Sequence, residues 1–279
     1  MQTDKISKEK HPTDAKKVFR KLGTCSRTFF YLLDREFGNL MVDEERAADP
    51  LAGGIMKQGY QCGMLWGASL AVGAEAFKTC THTSQAIIVA VEATRSLMTS
   101  FVDQEQTSQC LEITRCDFTN NLSFAKYMLS GRFLHCFQMA EDWAPEAVKK
   151  ARKALESKPH NFDYSMSCAT EVARKMGASD EEAIMVAGFA GGLGLAGSGC
   201  GALSAAIWMS ALEWSRAHEK GSAIKDQHGK EILKSFLQQT DGLIQCKDIC
   251  NRNFDSLDEH TTYMMEGGCS KLIEQLSMA

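Results

Sequence analysis

Proline is nearly missing from this chain of 279 residues: there are four, at Pro12, Pro50, Pro145 and Pro159. β-Branched runs are few as well, while 22 glycines punctuate the sequence. That composition fits helices broken by glycine turns better than a sheet. A basic excess is also lacking. The formal net charge is −4, which removes the electrostatic footprint of a nucleic-acid partner. No CxxC pair occurs, so the commonest zinc-ribbon and thioredoxin signatures are excluded. The glycine-rich stretch GGLGLAGSGCGA lacks the Gly-Lys-Ser/Thr of a phosphate loop, and no strand pattern leads into it.

What the chain does have is a 44% hydrophobic content, enough for a real core, and eleven cysteines. The opening MQTDKISKEKHPTDAKK is charged and carries no apolar stretch, so no signal peptide and a cytoplasmic setting are expected. A reducing compartment does not sustain a static disulfide scaffold, which leaves metal binding, redox chemistry or plain burial. Residues 183–212 are free of charge and long enough to span a bilayer. The glycines between Gly191 and Gly201 would break such a span, and a buried helix pair joined by a glycine turn is expected, without stable membrane insertion.

The chain repeats itself. QCGMLWGASLAVGAE around Cys62 answers GCGALSAAIWMSALE around Cys200, and YMLSG at Tyr127 answers YMMEG at Tyr263. Cys25 pairs with Cys168, Cys62 with Cys200, Cys110 with Cys246 and Cys116 with Cys250, at offsets of 143, 138, 136 and 134. Two homologous domains follow, 14–144 and 145–279, packed as a pseudo-two-fold pair within one chain. Each is all-α with about five helices, and Pro145 is expected to open a linking helix that Pro159 ends. Apolar spacing places first-half helices at 18–37, 44–57, 62–77 and 84–101. In the second half, Asp180, Glu181 and Glu182 mark a helix entry.

Eight of the eleven cysteines thus recur. Cys200 follows a glycine run and opens an apolar helix, where backbone N–H groups favour an anion. This predicts a lowered pKa, and Cys62 repeats the setting, making both candidate redox thiolates. Gly199, Gly201 and Gly63 would let a cofactor approach closely. Cys246 and Cys250, four apart, share one helical face. Cys80, Cys136 and Cys269 read as small buried hydrophobes. The seven histidines, His11, His82, His135, His160, His218, His228 and His260, do not recur and read as surface or locally satisfied residues, although His135 beside Cys136 could add a ligand or base. The fourteen methionines read as core filler.

Ser167-Cys168-Ala169, the glycine-rich lead into Cys200-Gly201-Ala202, and Cys246 with Cys250 resemble a redox-active protein family. That family is named for its pattern of a Cys, then Cys-Gly-Ala-x-x-Gly, then two further Cys. The first half matches through Cys25, CGMLWG from Cys62 to Gly67, Cys110 and Cys116. Met64 replaces the Ala in the first half, and Ala205 replaces the final Gly in the second. Members are single domains about the size of one half, so the chain resembles a fused duplicate. The resemblance implies a cysteine redox or metal site and, through neighbouring genes, a redox partner or a transporter-associated one.

The leading expectation is a metal or iron–sulfur cluster held by Cys25, Cys62, Cys110 and Cys116, and by Cys168, Cys200, Cys246 and Cys250, with zinc as second choice, serving electron transfer or redox sensing. Metal-free thiol–disulfide chemistry is the first alternative. A non-catalytic metal-carrier or partner-binding module is the second.

Overall fold

The computed structural model describes residues 14–159 and 163–278. The N-terminal stretch with His11, and His160 in the joint, lie outside them. The first repeat runs α1 (Ala15–Leu22), α2 (Cys25–Glu36), α3 (Val42–Ala47), a 3-10 turn (Asp49–Leu51), α4 (Gly63–Thr79), α5 (Thr83–Glu105), α6 (Cys110–Thr114), α7 (Asn121–Leu129) and α8 (Phe133–Glu156). The second runs α9 (Cys168–Lys175), α10 (Asp180–Met185), a 3-10 turn (Ala187–Phe189), α11 (Gly201–Ala217), a second such turn (Ala223–Lys225), α12 (Gln227–Gln239), α13 (Cys246–Cys250), α14 (Leu257–Met265) and α15 (Ser270–Met278). The chain is all-α, and α2 to α8 correspond one to one with α9 to α15.

Several sequence expectations change in detail. The helix expected over 18–37 is two, because Gly23 takes a left-handed φ of 87° and closes α1. Pro145 does not open a helix. It sits inside α8, which carries the chain across the point where the sequence places the joint. The entry at Asp180 is capped by Ser179, whose hydroxyl accepts from the Glu182 N–H while the Glu182 carboxylate accepts from the Ser179 N–H. The uncharged stretch 183–212 is folded into α10, a turn, a loop and α11, nearly all of it buried. No helix among the described residues is long and apolar enough to cross a membrane.

α4 and α11 form the centre. Each is buried along most of its length, and Trp66 and Trp208 are fully buried within them. Close backbone approach depends on glycine here. A Cβ on Gly67 would lie 1.9 Å from the Ser26 carbonyl oxygen of α2, and one on Gly201 would lie 1.9 Å from that of Phe189. The repeats meet through Trp66 against Phe189, with ring centroids 4.8 Å apart, and through Gly73 against the carbonyls of Ile184 and Met185.

Between the first 3-10 turn of each repeat and its central helix lies an unusual loop. Five consecutive residues, 53–57 in one and 191–195 in the other, all take positive φ between 48° and 81°. The second repeat uses three glycines there, and the first only two. Ile55, Met56 and Lys57 therefore hold a conformation that costs an L-residue about 1 kcal/mol each. The same hand and length in both repeats show that the loop shape is required beyond what local sequence favours.

Candidate functional site

Each loop ends in a single antiparallel bridge, Gln61 with Gln109 and Gly199 with Gln245. The bridge sets the central and third cysteines side by side. The Cys62 N–H donates to the Ser108 carbonyl (2.7 Å) and the Cys110 N–H to that of Tyr60 (2.7 Å). In the second repeat, Cys200 donates to Ile244 (2.8 Å) and Cys246 to Ser198 (2.6 Å). Cys25 and Cys168 are the first residues of α2 and α9, Cys62 and Cys200 cap α4 and α11, and Cys110 and Cys246 open α6 and α13. In the first repeat Cys25, Cys62 and Cys110 line one cavity.

The fourth position is different from the one read in the sequence. From Cys110 to Tyr127 the offset to the second repeat is a constant 136, and α6 and α13 both end in a left-handed cap, Arg115 (φ 50°) and Asn251 (φ 51°). Thr114, not Cys116, therefore stands opposite Cys250. Cys116 is buried beside Ser123, 3.8 Å from its hydroxyl, outside the cavity that the other cysteines line. The recurring fourth cysteine is Cys136, in the first turn of α8, matched by Cys269 just before α15. Each is joined by a tyrosine: Tyr127 Oη lies 3.3 Å from Cys136 Sγ, and Tyr263 Oη lies 3.9 Å from Cys269 Sγ. The offset of 133 continues the drift of the others and would have revealed the pair. Cys80, at the end of α4, stays apart from both groups.

In the second repeat the sulfurs touch. Cys246 Sγ is 3.8 Å from Cys250 Sγ, which is 3.5 Å from Cys269 Sγ. Cys168 and Cys200 lie close enough to Cys269 that a charge on it would raise them. Burial pushes the Cys168 thiol up to about 12 and holds Cys200 higher still. The hydrogen bond with Cys246, together with burial, raises Cys250 to about 11. Cys269 is raised by its bond with Cys250 and by burial. These thiols are protonated at neutral pH, so the lowered pKa expected at the helix entrance of Cys200 is overridden by desolvation.

The first repeat is arranged otherwise. Cys25, Cys62, Cys110 and Cys136 line one cavity of about 370 Å³. Cys62 hydrogen-bonds Cys25, and that bond together with the Gly53 N–H holds the Cys25 thiol below its ordinary value. Cys62 keeps its proton and is raised by the same bond and by burial. Of this pair Cys25 is the one held low, and the expectation for Cys62 is reversed. The left-handed loop supplies the donor, and Gly191 offers the equivalent N–H to Cys168.

The three glycines expected to admit a cofactor instead admit protein. A Cβ on Gly63 would meet Cys25 Sγ at 2.6 Å, one on Gly201 would meet the Phe189 carbonyl, and one on Gly199 would meet Ile55 at 2.5 Å and Gln61 Oε1 at 2.7 Å. The Gly199 N–H donates to Gln61 Oε1 (2.9 Å), so the residues before the two central cysteines touch across the pseudo-dyad. His135 faces Glu105 at 3.8 Å, away from the sulfurs. Among the described residues, no group of three or more His, Cys, Asp or Glu side chains is arranged to hold a metal ion.

No curated protein and no solved structure matches the chain. A family model does, twice, over residues 24–150 and 163–278, each span containing one four-helix-end group of cysteines. These spans cover most of the chain, which therefore belongs to the family described as "Putative redox-active protein (C_GCAxxG_C_C)", present here as two tandem copies.

Proposed function

We propose that the protein is a thiol-based redox protein with one dithiol in each repeat, Cys25 with Cys62 and Cys250 with Cys269. The observation that carries this is that cysteines come together in both repeats: Cys25 and Cys62 line one cavity in the first, and Cys250 and Cys269 lie 3.5 Å apart in the second. Closing either pair to a disulfide needs the sulfurs to approach to about 2.05 Å. Two thiols then lose two protons and two electrons, and a disulfide on a partner protein takes them up to become two thiols. Tyr127 and Tyr263, raised by burial, keep their protons and can donate to a sulfur as it gains charge.

A second reading has its own support. Four cysteines recur at four helix entrances around each site, and their donor set is all sulfur. That chemistry suits an iron–sulfur cluster, or zinc, held by Cys25, Cys62, Cys110 and Cys136 or by Cys168, Cys200, Cys246 and Cys269. A bound cation would reverse the raised thiol pKa values, because its charge favours the thiolates. Such a group would supply one-electron transfer or a Lewis acid. A redox partner protein, transporter-associated or otherwise, and a cytoplasmic setting belong to both readings.

One preparation separates them. Protein purified anaerobically is analysed for iron, sulfide and zinc, then exposed to glutathione disulfide and mapped by mass spectrometry. Metal-free protein that gains Cys25–Cys62 and Cys250–Cys269 bridges supports the dithiol reading. Stoichiometric metal, or eleven thiols unchanged after oxidant, sinks it.

A further inference from the structure

The two sites are not equally filled. In the second repeat the sulfurs pack on one another, and the Arg252 guanidinium covers the aromatic pair beside them, 5.2 Å from Phe254 and 5.7 Å from Tyr263. In the first repeat the matching pair, Phe118 and Tyr127 with centroids 5.3 Å apart, has Cys116 at the position of Arg252. Phe118 and Tyr127 line a cavity of about 370 Å³. That volume lies within the range of small-molecule sites, about 300–1,000 Å³. Its walls include Phe19, Phe118, Phe124, Phe133 and Phe137, and among the described residues lining it Lys57 alone is charged and is exposed.

Aromatic walls take flat molecules, and a wall without buried charge takes uncharged ones. Cys25 and Cys62 both line this cavity, beside its aromatic walls. We infer that the first-repeat cavity binds a small, uncharged aromatic electron acceptor of quinone type, which the Cys25–Cys62 dithiol reduces. This rests on the dithiol reading above and assigns its substrate class in one repeat.

The step balances. Cys25 Sγ adds to a ring carbon, forming a C–S bond as its thiol proton passes to a ring oxygen. Cys62 Sγ then attacks Cys25 Sγ, so an S–S bond forms and the C–S bond breaks. The ring leaves as the hydroquinone with two electrons and two protons, one of them from Cys62. A partner dithiol then resets the pair by thiol–disulfide exchange and leaves as the partner's disulfide.

The test uses the full reduced chain under anaerobic conditions. 2-Naphthol, which the thiols cannot reduce, reports binding by its fluorescence, and 1,4-naphthoquinone reports turnover. The expected result is one saturable naphthol site per chain, weakened at least tenfold by Thr114→Phe and by Met128→Trp. Two filling variants are used because Thr114 is buried and Met128 lies near the surface. Cys25→Ser should keep naphthol binding and lose hydroquinone formation with its Cys25–Cys62 bridge. Absence of saturable naphthol binding overturns the inference, even where glutathione disulfide still oxidises the pair. Naphthol binding with no hydroquinone, in protein that glutathione disulfide does oxidise, overturns the acceptor class. Failure of both oxidants brings down the dithiol reading itself.

Discussion

A thiol's reactivity follows its thiolate fraction, so the eleven cysteines should separate sharply by environment. Cys25 is the one held low among the site cysteines, and it is only partly buried. Iodoacetamide at pH 7.5 should therefore modify Cys25 first, by at least tenfold over Cys168 and Cys250. Those two should gain reactivity only as pH climbs towards about 12 and about 11. Mass-spectrometric labelling rates across pH check this, and equal rates at neutral pH would remove the thiolate assignment. The same shifts bear on stability. A thiol whose folded pKa is raised contributes stability that is complete below its ordinary value of 9.0 and is lost as pH rises through the folded value. His260 works in the opposite direction. Burial lowers it from 6.5 to about 4, and its Nδ1 has no partner. Its contribution is complete above pH 6.5 and is lost as pH falls through about 4, on the order of 3 kcal/mol. Urea midpoints measured from pH 7.5 down to 4 should fall steeply in the parent and less so in His260→Gln; parallel curves would place the acid limb elsewhere. Much of this residue-level chemistry was legible. The recurring Cys25, Cys62 and Cys110 were visible because duplication repeats what packing alone would let drift. Cys136 and Cys269 were passed over because their neighbours differ, although their offset fits. Cys116 was misassigned because a two-residue slip places one cysteine opposite another, where the constant offset places Thr114. Burial, which decides which sulfur ionises, has no signature in residue spacing.

At the scale of elements, helices were readable wherever apolar spacing was long, as in α4, α5 and α11. They were misread where a cap or proline decides the boundary. Gly23 splits a helix that periodicity would continue. Pro145 lies inside α8 because apolar residues on both sides of it, Trp143, Ala144, Ala147 and Val148, are buried along one helix. The left-handed loops were invisible in the first repeat, where Ile55, Met56 and Lys57 carry no signal for positive φ. Their importance can be measured with two glycines of the same φ, 81°. A Cβ on Gly192 would strike the Ser198 backbone N and O, each at 2.6 Å, whereas one on Gly242 meets nothing within 4 Å. Gly242→Ala should cost about 1 kcal/mol, the left-handed penalty alone. Gly192→Ala should add about 1–3 kcal/mol for the displaced backbone. It should also slow Cys246 oxidation, since that Cβ would crowd Cys246 at 2.9 Å. Chemical denaturation of both variants gives the difference, and equal costs would show that the loop can yield without disturbing its cysteine.

The pseudo-two-fold pair raises a question that belongs to the whole molecule: whether the repeats fold as two units or one. Polar groups cross between them at several places. Gln61 bonds the Gly199 N–H and the Gly192 carbonyl, and Arg216 of α11 pairs with Glu44 of α3 at 3.1 Å. Arg46, nearly buried, donates to the carbonyls of Ser215 (2.9 Å) and His218 at the end of α11. These carbonyls lie in the last turn and cap of α11, where that of Ser215 also accepts from the His218 N–H (3.4 Å), and a cation there meets the negative end of the helix dipole. Arg46 therefore satisfies the second repeat's central helix from the first repeat. Removing it takes a charged donor away from these carbonyls, a loss of about 1.5–3 kcal/mol. Arg46→Ala should accordingly lower the unfolding midpoint of the full chain while far-ultraviolet circular dichroism and tryptophan fluorescence still report one coincident transition. The reason is that Trp66 of one repeat packs on Phe189 of the other, so neither core is complete alone. Two separated transitions, in the parent or the variant, would mean that the repeats are independent domains. In that case the contact between Gln61 and Gly199 would link two sites without coupling their stability.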